Sequence, residues 1–86
     1  MTDQNLNKYS TDSISLAAFL LSEGCKFSGL ERITPTKVNF LFENSRQIQT
    51  LADNFWKSEV LVEPKKLLHA LKDLKSLLYQ FFNERR

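Results

Sequence analysis

The stretch Pro64–Phe82, PKKLLHALKDLKSLLYQFF, constrains the fold more than any other part of the chain. Leu67, Ala70, Leu71, Leu74, Leu77, Leu78 and Phe81 recur at three- and four-residue steps, the spacing of one helix face. Lys65, His69, Lys72, Ser76, Gln80 and Asn83 form the opposite stripe. Pro64 suits a first helical position, where its missing N–H would have no partner anyway. A helix of about five turns with so wide an apolar face must lie against something. The rest of this 86-residue chain is short enough to be that something.

Ahead of this helix the chain supplies several shorter elements. Met1–Ser10 is polar and aperiodic, and reads as a flexible, dispensable tail before a single compact domain over 11–86. Asp12–Glu23, DSISLAAFLLSE, is a helix apolar nearly all round, with Thr11 or Asp12 as its cap and Gly24 as its stop. Cys25–Ile33 and Thr36–Glu43 read as two strands joined through Thr34-Pro35-Thr36-Lys37, with Pro35 in the second turn position. Val38, Phe40 and Phe42 alternate with Asn39, Leu41 and Glu43, the period of a half-buried strand.

The first strand is less regular. Pairing Ile33 with Val38 sets Gly29 opposite Phe42 and turns Glu31 toward the core, which is costly for a lone carboxylate. A bulge at Gly29 would reset the alternation; a lysine from the last helix could instead pair Glu31. In Asn44–Lys57, Ile48, Leu51, Ala52 and Phe55 follow helical spacing, and Asn44 with Gln47 resembles a capping box. Ser58–Glu63 reads as a short third strand or an extended linker. The expected architecture is a small two-layer α+β domain, in the order helix, strand, strand, helix, short strand, long helix.

Thr11-Asp12, Leu16-Ala17-Ala18-Phe19-Leu20-Leu21, Gly24, Glu31-Arg32, Val38, Phe40 and Phe42-Glu43 form a recognisable string. It continues through Phe55-Trp56, Val62-Glu63-Pro64, Ala70-Leu71, Leu74-Lys75 and Leu78-Tyr79. With these residues the chain resembles a family of short, uncharacterised domains of bacteria, their phages and mobile elements. Here Glu63 stands before the proline where Asp is expected, which bears on the helix cap. The resemblance implies no activity, and suggests only a setting around nucleic acid.

The residues point to binding rather than catalysis. His69 and Asp73 lie one helical turn apart, but no activated nucleophile accompanies them. Cys25 is the only cysteine, so no internal disulfide forms, which suits a reducing, cytoplasmic setting. One Cys and one His make no zinc set, and two isolated glycines make no phosphate loop. No catalytic residue, metal site, cofactor or small-molecule substrate is expected. The longest apolar run, Leu16–Leu21, is too short to span a membrane.

Charge is balanced overall, at a formal +2, yet basic side chains gather toward the C-terminus. Lys72, Lys75, Tyr79 and Phe82 fall on one seam of the last helix, and Arg85 and Arg86 extend it. Arg32 and Lys37 flank the hairpin turn. Lysines beside an aromatic ring can contact phosphates while the ring stacks on bases. The first reading is therefore an accessory module binding nucleic acid or a nucleoprotein. The second is a homodimeric protein-interaction module that buries the excess apolar surface of the same helix.

Overall fold

The structure is a computed structural model that describes residues 7–58 and 60–83. Six elements follow one another: β1 (Lys8–Thr11), α1 (Ile14–Ser22), β2 (Phe27–Thr34), β3 (Lys37–Glu43), α2 (Arg46–Trp56) and α3 (Pro64–Asn83). The three strands form an antiparallel sheet in the order β1-β3-β2. The helices cover one face of it, in a slab whose thin dimension of 18 Å holds two layers. The α+β class read from the sequence is the architecture found.

The third strand comes from the opposite end to the one expected. The stretch expected to be a flexible tail through Ser10 contributes Lys8–Ser10 to β1, so the domain begins before Thr11. Tyr9 stands opposite Phe42 and packs on the core, and burial, then the nearby Asp53 carboxylate, raises its phenol pKa. Four residues with one large apolar side chain are too few to show a period, and pairing with the preformed hairpin supplies what local sequence does not. Among the described residues of Ser58–Glu63 there is no strand.

β2 carries two register shifts against β3, one of them a bulge at Ser28 and Gly29. Phe27 pairs with Phe42 but Gly29 pairs with Leu41, so the alternation is reset at Ser28. Gly29 has φ +134°, a conformation that side chains with a Cβ rarely adopt. A second register shift, between Arg32 and Thr34 beside the turn, sets Glu31 opposite Asn39, facing solvent, and Arg32 on the inner face opposite Val38.

Each helix is closed by a local device. Ser13 caps α1, its hydroxyl accepting from the Leu16 amide at 3.1 Å, while Thr11 Oγ1 accepts from the Ser13 amide. At the other end the Cys25 and Gly24 amides donate to the Leu20 and Leu21 carbonyls, both at 3.1 Å, with Gly24 at φ +90°. Ser45, rather than Asn44, caps α2 by accepting from the Ile48 amide. Glu63 reaches back over Pro64 so that its carboxylate accepts from the Lys66 amide at 2.9 Å. The longer side chain thus serves as the α3 cap in place of Asp.

The core centres on α1, not on the longest helix. Leu16, Ala17, Ala18, Phe19 and Leu20 are five consecutive residues at 0–1% exposure. Ser15 is the one exposed residue of α1, and Ile14, Leu21 and Ser22 are half-buried. α1 packs against α2, α3 and the sheet, with Phe19 stacked on Phe55 at 5.4 Å. Val38, Phe40, Phe42, Ile48, Ala52, Ala70 and Leu74 complete the buried set among the described residues. On α3, Leu67, Leu71, Leu78 and Phe81 are half-buried, whereas Leu77 lies at the exposed edge of the apolar arc.

Candidate nucleic-acid or partner interface

The eight residues singled out from the sequence divide into three groups. Lys72, Lys75 and Tyr79 are exposed along one edge of α3. The Tyr79 ring is 72% exposed, and Leu68 continues the same edge toward the N-terminus at 63%. The helix presents this edge because Ala70 and Leu74, on the other side, are anchored in the core.

Arg32, Lys37 and Phe82 gather at the far end of the domain. The Arg32 guanidinium lies 5.1 Å from the Phe81 ring centroid and 5.0 Å from that of Phe82. Its Nη1 donates to the Pro35 carbonyl at 2.7 Å. The two rings meet edge to face, 5.6 Å apart. A guanidinium held over two rings and bonded to its own hairpin turn is committed to the fold. Arg32 thus leaves the candidate binding set and becomes the clasp between the β2–β3 turn and the end of α3. Half-buried Phe82 is likewise drawn inward. Arg85 and Arg86 lie outside the described residues.

Lys37 is exposed and borders an open cavity of about 290 Å³. Ile14, Val38, Phe40, Leu78 and Phe82 line it with apolar surface, and Asp12, Thr36 and Lys37 supply its polar groups. No pattern of residues signals this cavity, because it arises where β1 stops short of the start of β3.

His69 and Asp73 are both exposed on α3. Cys25 is half-buried behind the turn that closes α1, and burial, then the Glu23 carboxylate, raises its thiol pKa. That shift makes it a poorer nucleophile at neutral pH. Among the described residues, no three His, Cys, Asp or Glu side chains group closely enough to hold a metal ion. No described helix is long and apolar enough to cross a membrane.

Fold and surface together define a small α+β domain whose most distinctive exposed feature is one aromatic and basic helix edge. The chain belongs to the family described as Domain of unknown function (DUF5659), which it matches over residues 6–80. That span includes β1 and ends just after Tyr79. No curated protein and no solved structure matches the chain.

Proposed function

We propose that this chain is a non-catalytic accessory domain that binds single-stranded nucleic acid, alone or within a nucleoprotein, along the exposed edge of α3. The observation that carries the reading is Tyr79, an aromatic ring 72% exposed on the same edge as exposed Lys72 and Lys75. A ring so placed offers a stacking surface that any base can use, and the lysines supply phosphate contacts. The anchored opposite face keeps these side chains in a fixed register.

The same edge supports a second reading. Leu68 at 63% exposure would be covered if a second copy packed on α3. Salt separates the two. Phosphate binding weakens linearly in log salt by about 0.7 per contact for single strands, whereas apolar dimerisation does not.

The test is an anisotropy titration of labelled single-stranded and duplex oligonucleotides at several salt concentrations, with mass in solution measured in parallel. Replacing Lys72 and Lys75 by Gln should flatten the salt slope by roughly one to two units. Tyr79→Ala should weaken single-strand binding by about 1–3 kcal/mol and duplex binding less. An absence of binding at roughly tens of micromolar protein and low salt would sink this reading, since non-specific binding is expected in that range or tighter. A concentration-dependent mass that Tyr79→Ala shifts would favour the dimer.

A further inference from the structure

The cavity bordered by Lys37 has a chemistry that the α3 edge does not use. β3 runs from Lys37 to Glu43, but β1 pairs with it only as far as Phe40, opposite Thr11. The chain then turns through Asp12 into α1, so that among the described residues no strand pairs with Lys37–Asn39 on that side. Backbone groups of an antiparallel strand point alternately to its two flanks. The Asn44 amide donates to Asn7 on the β1 side and the Glu43 amide to Lys26 on the β2 side. The alternation therefore turns the N–H and C=O of Val38 toward the gap.

Three features meet at this notch. Its apolar lining of Ile14, Val38, Phe40, Leu78 and Phe82 encloses about 290 Å³, the lower end of the range for small-molecule sites. One backbone donor and one acceptor face it from Val38. Among the described residues, its polar rim carries one carboxylate, Asp12, and one ammonium, Lys37, both exposed.

We infer that the notch is a binding site for a free α-amino acid with a bulky apolar side chain. The side chain fills the apolar lining, the ligand ammonium is matched by Asp12 and the Val38 carbonyl, and the ligand carboxylate by Lys37 and the Val38 amide. A rim with one charge of each sign favours a zwitterion over a simple anion or cation, since each ligand charge meets its opposite. A ligand of about a dozen non-hydrogen atoms in so open a site should bind with Kd on the order of 1 mM.

Amide-resolved NMR titration of the full chain tests this with L-phenylalanine, L-leucine, glycine and N-acetyl-L-phenylalaninamide. L-Phenylalanine and L-leucine should shift the amides of Ile14, Lys37 and Val38 saturably, while glycine leaves them in place. N-acetyl-L-phenylalaninamide has the side chain but neither charge, and should bind at least about tenfold more weakly. Asp12→Asn and Lys37→Gln change exposed residues, so the rest of the spectrum should be preserved while each weakens L-phenylalanine binding about three- to tenfold. Equal binding of the uncharged amide would overturn the assignment and indicate a purely apolar cleft. So would the absence of saturable shifts up to about 10 mM ligand, well above the expected Kd. Nucleic-acid binding at the α3 edge is read from different side chains, so either reading can fail alone.

Discussion

Replacing Arg32 by Met should destabilise the domain while leaving the α3 edge intact. Methionine keeps much of the length and apolar stem but removes the guanidinium from between the hairpin turn and Phe81 and Phe82. Each ring contact contributes about 0.5–1 kcal/mol at a partly exposed site. The bond to the Pro35 carbonyl adds about 1 kcal/mol. Together these give about 2–3 kcal/mol, against a total stability of roughly 4–13 kcal/mol for a chain of this length. For a domain this small each kcal/mol moves the melting temperature by about 4–8 °C, so a drop of about 8–24 °C is expected. Thermal unfolding followed by far-ultraviolet circular dichroism reads it directly. Arg32→Lys should recover only part of the loss, because an ammonium lacks the planar face. A double-mutant cycle with Phe82→Leu should return a coupling of about 0.5–1 kcal/mol. A melting temperature within about 1 °C of the parent would refute the clasp and return Arg32 to the candidate binding surface.

The remaining predictions concern β1 and two half-buried acids, Cys25 and Tyr9. A chain beginning at Asp12 lacks β1 and with it the Tyr9 contact to the core, so it should lose cooperative unfolding; Tyr9→Ala alone should cost about 1–3 kcal/mol by denaturant titration. The folded protein holds the Cys25 and Tyr9 protons beyond their ordinary pKa values of 9.0 and 10.0. The unfolded chain releases them first, so the contribution of these two groups should be constant below their unfolded values and stability should fall as pH rises past them. The Cys25→Ser, Tyr9→Phe double variant should flatten that alkaline decline in melts between about pH 8 and 11; an unchanged decline would assign it to other groups.

Periodic elements were readable from the residues alone. The three helices and the Pro35 turn stand where spacing and turn chemistry place them. An extra residue in β2 was inferable because unbroken pairing put Glu31 in the core; the shift that turns Glu31 outward lies beside the turn, between Arg32 and Thr34, while the one at Gly29 resets only the residues before it. β1 was not readable, since a four-residue strand is specified by the strand it joins rather than by itself. The capping residues shifted by one position because Ser, Asn, Asp and Thr neighbours all offer an oxygen, and only the backbone path selects among them. At the candidate interface, the exposed lysines and Tyr79 follow from the helical period. The removal of Arg32 does not, for it depends on how closely the hairpin turn approaches the last turn of α3. The notch was invisible for the same reason, as it depends on where one strand ends relative to another.

The burial of α1 on nearly every side also fixes how the molecule opens. α2, α3 and the sheet each cover a different part of it, so the loss of any one leaves fully apolar side chains wet. No half of the chain retains a closed core, and intermediate states that shed a single layer are costly. The backbone amides of Ala17 to Leu20 should therefore exchange with solvent deuterium only when the entire domain unfolds. Their protection would serve as a direct gauge of its global free energy. Between α2 and α3, Val60 packs against this core whereas Leu61, at 96% exposure, does not, so the Leu61 amide should exchange by local opening.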